Sequence, residues 1–418
     1  MRPAADLVVA GAAELAAPDP ARPGVVRRVP GGVVATTGER IVAAGPPDEV
    51  EQAVDLARAQ VLDAGGGLLV PGFVDCHTHL LFGGSRAREY VVRLAGDPAA
   101  VAALDGPTGI AASVGMTRAA SDDELLAAAT ARLDAMLAQG TTTAESKTGY
   151  GLSVEQEIRM LRLNARLAAA HPIDVVSTLM AAHAFPPDCA TPADAGRWVT
   201  EIEREIVPAA GELGAEFNDV YCDEGYFSVD QARRVLKAGL DAGLAPKIHA
   251  DQYDRIGASA LAAELGVASA DHLNCTSDDE LQALAGAGVV AVLMPLIDFA
   301  VAHPRTVDAR RWVRAGLTIG LATDLCPGGW AVSMPLAMQF ACRVSGLTPD
   351  QALWAATAGA AAALSRGDRG AFEPGRLADA VVIDVPSLDE LVYRIGHAAV
   401  RSVVKRGRVV RSDVEQGA

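Results

Sequence analysis

The sequence predicts an α/β fold: a TIM-type (β/α)8 barrel carrying a small discontinuous β-sandwich domain built from both termini. Three observations carry this reading. Between residues 67 and 367, eight apolar strand-like runs alternate with Ala- and Leu-rich helical stretches, the pattern of βα units around a parallel sheet. Residues 1–66 and 368–418 hold short β-like runs broken by Gly and Pro, such as 6–10, 32–36, 379–384 and 401–405. Polar residues gather where the central runs end, which in such barrels is where the chemistry sits.

In chain order the strand candidates are 68–76, 141–147, 174–182, 215–223, 245–250, 267–271, 288–294 and 317–323. Helical stretches at 121–139, 153–170, 193–213, 228–242 and 258–265 separate most of them. The first run leads into Asp75-Cys76-His77-Thr78-His79, the second into Lys147-Thr148-Gly149-Tyr150, and the third into His183. The fifth ends at His249-Ala250-Asp251-Gln252, the sixth at Asp271-His272, and the eighth at Thr323-Asp324.

The 418 residues include 36 Lys or Arg against 52 Asp or Glu, a net charge of −16. So acidic a chain argues against a nucleic-acid or anionic-membrane partner, and leaves room for a local pocket taking a small anion. Six cysteines without a CxxC spacing make neither a disulfide framework nor a zinc ribbon. The N-terminal apolar patch is interrupted by Asp6 and Glu14 and does not read as a signal peptide. The longest apolar stretch, 355–364, is far below the ~18 residues of a membrane span. The expected location is the cytoplasm.

His77 and His79 lie two apart on an extended segment, so both rings face the barrel mouth while Cys76 faces the helices. With His249 and Asp324 they make a nitrogen/oxygen set suited to one divalent metal, Zn2+ or iron (Fe2+/Fe3+), with room for water. Lys147 ends the second strand, a poor place for a bridging carbamylated lysine, and the fourth ends in Asp223-Glu224, so one metal is expected rather than two. His272 reads either as a catalytic group or as a hydrogen-bond partner of Asp324. His171, His303 and His397 read as non-catalytic.

The segments that carry a family resemblance are Pro71-Gly-Phe-Val-Asp-Cys-His-Thr-His-Leu80, Phe82-Gly-Gly-Ser-Arg86, Lys147-Thr-Gly-Tyr-Gly-Leu152, Ala182-His-Ala184, His249-Ala-Asp251, Ser269-Ala-Asp-His-Leu273 and Leu321-Ala-Thr-Asp324 with Pro327-Gly328. They resemble the amidohydrolase superfamily and, within it, the imidazolonepropionases of histidine degradation. The resemblance spans nearly the whole chain. The His-x-His pair is shared across the superfamily, whereas the Phe-Gly-Gly-Ser-Arg and Lys-Thr-Gly-Tyr-Gly-Leu segments are much more specific. It implies hydrolysis of 4-imidazolone-5-propanoate to N-formimidoyl-L-glutamate, with His77, His79, His249 and Asp324 on the metal and Arg86, Tyr150 and His183 against the substrate. It also permits a homodimer.

That assignment agrees with the residues themselves. Arg86 follows a Gly-Gly-Ser turn beyond the metal strand and offers a bidentate fork to a carboxylate. Tyr150 lies between two glycines and is expected on an exposed loop. Asp324 is expected to carry the proton, with His272 or His183 donating to the developing oxyanion. Two positions depart from the family: Gln252 stands where many members carry Glu, and Cys326 stands where an Asn is usual. Both are expected against the substrate, beside Gly328. The stretch 94–110 also lacks the usual Gly-rich run.

The alternative reading is a related amidohydrolase that opens or deaminates a different carboxylate-bearing heterocycle. Deaminases of this superfamily usually need a Glu at the place of Gln252. A third reading, a non-catalytic metal- or ligand-binding relic, predicts a broken metal set, and none is broken here.

Overall fold

The computed structural model describes residues 2–397 and 400–412. Eight parallel strands follow one another around the barrel in sequence order. They are β1 (Phe73–Asp75), β2 (Thr141–Lys147), β3 (Asp174–Ala182), β4 (Phe217–Cys222), β5 (Ala245–Ala250), β6 (Ser269–His272), β7 (Val290–Leu293) and β8 (Thr318–Leu321). The outer helices start where the sequence offers a cap. Ser121, Ser153, Thr191, Ser228 and Ser277 each accept a bond from the backbone N–H three residues on. Gly140 and Gly243, at φ +88° and +84°, then turn the chain from a helix into the next strand.

Two elements differ from expectation. The run 68–76 is broken at Gly72, whose backbone passes so close to Thr142 that a Cβ would lie 2.3 Å from its hydroxyl. Only Phe73–Asp75 belongs to the barrel. Leu68–Pro71 pairs instead with Ala380–Ile383 and Glu14–Pro18, which carries the terminal sheet past residue 66. The helix over 193–213 contains a wide turn at Ile202–Ile206, just before Pro208, which has no N–H to give to the helical ladder.

Among the described residues, the two termini make two sheets. One has six strands, in the order Arg408–Ser412, Val400–Lys405, Ala380–Ile383, Leu68–Pro71, Glu14–Pro18 and Val26–Pro30. The other has four: Arg40–Gly45, Val33–Thr37, Leu7–Ala10 and Gln60–Asp63. Leu15, Leu69 and Val382 of the first sheet pack against Leu7, Val34 and Ile41 of the second.

β1 and β8 do not pair as strands. The barrel closes just beyond their ends, where Thr323 donates through its hydroxyl (2.6 Å) and its N–H (3.1 Å) to the Asp75 carboxylate. The Asp324 N–H then reaches the His77 carbonyl at 3.1 Å, and the His79 N–H reaches the Leu325 carbonyl at 2.8 Å. Lower down, the helix over 349–363 seals the seam. Gly359 lets it approach so closely that a Cβ would stand 2.1 Å from the Ile319 carbonyl oxygen.

Asp174, at the start of β3, ties the barrel to the terminal domain. It accepts from Arg369 (2.7 Å), Lys405 (2.9 Å) and Arg406 (3.1 Å). Burial pushes its carboxyl up, but Lys405 and the guanidiniums win and hold it below its ordinary 3.8. Asp174→Asn should cost about 1–3 kcal/mol at pH 7, less than for a fully buried pair because the site is partly open to water. The folded value lies below the unfolded one. The stabilisation is therefore present above about pH 4 and fades as the pH falls through the folded value. Thermal melts of the two proteins from pH 7 to pH 3 should converge; a constant difference would place the effect in packing.

Candidate active site

The C-terminal ends of the barrel strands bring four histidines and an aspartate together. The rings of His77 and His249 lie 4.4 Å apart, those of His249 and His272 5.1 Å, and those of His77 and His79 5.7 Å. Ligand atoms of His77, His79 and Asp324 converge to within 4.8 Å of one another, as do those of His77, His249 and His272. Asp324 Oδ1 stands 3.7 Å from His77 Nε2 and 3.9 Å from His79 Nε2, too far for hydrogen bonds. His77 Nε2, His79 Nδ1 and His272 Nδ1 are buried without a partner among the described residues. His77 Nε2 and His79 Nε2 face Asp324 Oδ1 across a gap that suits a cation with ligands at about 2.0–2.2 Å. Burial drives His77, His79 and His249 well below the ordinary imidazole range, so they are neutral, as ligands must be. Burial raises the Asp324 carboxyl well above its usual value. Asp324 and His272 take left-handed backbone (φ +50° and +75°), a strain that aims both side chains inward.

Beneath the histidines lies a layer of charge. Asp271 Oδ2 accepts from His77 Nδ1 at 2.6 Å, and Asp219 Oδ1 from His249 Nδ1 at 3.2 Å. Each bond fixes a tautomer and turns Nε2 toward the gap. Lys147, Lys247 and Glu145 complete the layer, all fully buried. Sequence reading missed this layer and noted only the ends of these strands. The available signal was polar residues two apart within apolar strands: Glu145 and Lys147, Lys247 and His249, Ser269 and Asp271.

A cavity of about 640 Å³ opens above the histidines. Its lining includes every residue expected against substrate: Arg86, Tyr150, His183, Gln252, Cys326 and Gly328. His79, His249, His272 and Asp324 also reach it, whereas His77 lies sealed below. His183 stacks on His79 at 4.9 Å, and its Nδ1 bonds the Gly149 carbonyl at 3.2 Å. A carbonyl only accepts, so Nδ1 carries the proton and Nε2 is the acceptor. Burial lowers this imidazole to about 4, and His272 to about 3. In this tautomer the His183 N–H faces Gly149 and Nε2 is left as a lone pair toward the cavity.

Tyr150 is buried rather than on an exposed loop. Glu157, inside the next helix, accepts from the N–H groups of Gly149, Gly151 and Leu152 (3.1, 2.8 and 2.8 Å) and folds the loop inward. At the mouth, the Arg86 fork is already engaged. Its Nε and Nη2 donate to Glu89 at 3.0 and 2.7 Å, and Nη1 has no partner among the described residues. Arg93 shares the same carboxylate at 2.7 Å, so two guanidiniums against one carboxylate leave one positive charge. Burial opposes ionisation of Glu89, yet the guanidiniums and the Gly109 N–H hold it at about 2.

Gln252 Oε1 accepts from the Tyr221 hydroxyl at 2.6 Å, which leaves the amide N–H groups for a ligand. Burial raises the Cys326 thiol, so it is neutral and unsuited to nucleophilic attack. Asp251 does not reach the cavity. It accepts from the N–H groups of Ile256, Ala258 and Ser259 and caps the helix Ala258–Leu265.

An amidohydrolase family model matches residues 92–411. The chain is 44% identical to an imidazolonepropionase of Geobacillus kaustophilus over 89% of its own length and 88% of that protein. It is 43% identical to one of Symbiobacterium thermophilum over 98% of both chains, and 42% identical to one of Halobacterium salinarum over 97% of both. Among solved structures, an adenosine deaminase of Xanthomonas campestris with bound zinc superposes with a TM-score of 0.72 at 19% identity, over 99% of this chain and 94% of that one. An atrazine chlorohydrolase mutant from Arthrobacter aurescens, complexed with zinc and atraton, gives 0.73 at 17%, over 97% and 95%. These two share the fold. With relatives this similar along the whole chain, and with the histidine and aspartate set in place, the chain belongs to the amidohydrolase family and, within it, to the imidazolonepropionases.

Proposed function

We propose that this chain hydrolyses 4-imidazolone-5-propanoate to N-formimidoyl-L-glutamate, using one divalent ion, zinc or iron, held by His77, His79, His249 and Asp324. One observation carries the reading. A single cavity joins this ligand set at its floor to a guanidinium with spare donors at its mouth. That arrangement suits a ring with an anionic tail. When bound, the metal supplies Lewis acidity and lowers the pKa of water toward neutrality.

The chain's own groups do the rest. Arg86 receives the propanoate through Nη1, backed by the surplus charge of the Arg86–Glu89–Arg93 cluster. His183 Nε2 accepts from a ring N–H, and the Gln252 amide donates to a ring acceptor. Asp324 takes the proton of the attacking water as oxygen adds to the ring carbonyl carbon. It returns that proton to the ring nitrogen as the C–N bond breaks, so the products carry one added water. His272 is the group placed to donate to the oxyanion, because the His183 proton is committed to Gly149. Gln252 cannot share the proton transfer, since an amide does not titrate. Its neutrality, with the guanidinium at the mouth, favours ring opening over deamination.

The direct test offers metal-replete protein freshly made imidazolonepropanoate beside hydantoin, dihydropyrimidine and aminopurine rings. Turnover should be greatest on the first, and preference for an aminopurine would overturn the assignment. Chelation or His79→Ala should lower turnover by orders of magnitude; full activity in a metal-free sample would refute the ligand set.

Arg86→Ala should reduce kcat/KM by about 2–4 kcal/mol equivalent on the acid and little on a neutral ring analogue. Equal losses on both would make Arg86 a support for its loop. Asp324→Asn should nearly abolish turnover even where elemental analysis finds metal, while Gln252→Glu should stay active with a changed pH profile. A working Asp324→Asn enzyme would move the base elsewhere.

A further inference from the structure

Two lysines are fully buried on the barrel axis, and they are not equivalent. Lys147 Nζ lies 2.5 Å from Asp219 Oδ2, 3.0 Å from Glu145 Oε2 and 3.6 Å from Asp271 Oδ2. Asp219 and Asp271 are the carboxylates bonded to Nδ1 of His249 and His77. Lys247 Nζ reaches Glu145 Oε1 at 2.8 Å and the Cys76 carbonyl at 3.0 Å. Among the described residues it makes no ion pair with Asp219 or Asp271. Asp219, His249 and Asp271 also bring ligand-type atoms within 4.8 Å of one another, a second grouping able to hold a cation. The Lys147 ammonium is the positive charge standing against it.

We propose that Lys147 is a positioning residue for the metal centre: as an internal cation it fixes Asp219 and Asp271, and through them the aim of His249 and His77. The proposal rests on the reading of His77, His79, His249 and Asp324 as metal ligands. The physical reason is repulsion. Asp219, Asp271 and Glu145 crowd one dry space, and without an ammonium between them the carboxylates turn apart. Each turn breaks a bond to an imidazole Nδ1, frees the ring to rotate, and moves its Nε2 off the ligand position. Lys147 touches neither ligand nor substrate, so its effect is read in how well the site holds metal.

The test compares Lys147→Met with Lys247→Met, each of which removes one equally buried ammonium and keeps most of its volume. Zinc affinity is measured by chelator competition, and ligand geometry by the visible spectrum of the cobalt-substituted protein. Lys147→Met should bind zinc about 10–100-fold more weakly, the usual range for losing an outer-shell partner, with an altered cobalt spectrum. Lys247→Met should lose clearly less than Lys147→Met, since its ammonium attracts Asp219 and Asp271 only at longer range and bonds Glu145 and the Cys76 carbonyl instead.

Parent-like affinity in a folded Lys147→Met protein would overturn the proposal. An equal loss in Lys247→Met would also overturn it, by showing that any core charge serves. Should Lys147→Met not fold, Asp219→Asn removes the partner that Lys147 holds, and unchanged zinc affinity there would refute the route through Asp219. A parent protein that takes up no metal would refute the ligand set itself, and is distinguishable because the parent is measured first.

Discussion

Five ionisable side chains on the barrel axis, Lys147, Lys247, Glu145, Asp219 and Asp271, are closed off from water and have mainly one another as partners. A lone charge so placed costs several kcal/mol, so the strands are constrained to deliver all five together. Strand register does this. Asp219 stands opposite Lys247 between β4 and β5, and His249 opposite Asp271 between β5 and β6. A one-residue slip would turn one of these groups outward among the apolar helices, because side chains alternate along a strand. The charge layer therefore specifies the barrel as much as it supports the histidines above it.

The same economy governs the seam between β1 and β8. No strand ladder closes it; the backbone of the reactive segments does, with Asp324 bonded to His77 and His79 to Leu325. Two of the principal site residues, His272 and Asp324, hold left-handed backbone that ordinary side chains disfavour. That strain is sustained by neighbours fixed on both sides, and it keeps the reactive groups on the barrel frame rather than on mobile loops.

The eight-strand alternation was legible because strand-like runs and helical stretches differ in period, and the site was legible because histidines fell at run ends. Other features were hidden for definite reasons. The break falls at Pro71-Gly72, a turn signal, but apolar residues resume at once on its far side, so Leu68–Pro71 looked like barrel. The inward turn of the Tyr150 loop depends on Glu157, whose position in an amphipathic helix resembles that of any surface Glu. Arg86 was readable as a carboxylate partner, but Glu89, one helical turn on, already occupies part of its fork. No spacing rule says how the remaining donors are shared.

The route of the chain through the terminal domain has a consequence for synthesis on the ribosome. Leu68–Pro71 sits in the interior of its sheet, with Glu14–Pro18 on one side and Ala380–Ile383 on the other. The second neighbour is made some three hundred residues later, a delay of roughly 15–60 s at about 5–20 residues per second. Through that interval the nascent chain carries a fully apolar strand with one open edge, the kind of surface on which other chains pair. Shielding that edge until the last strands emerge is a demand that the chain's topology makes on its synthesis and that catalysis never sees.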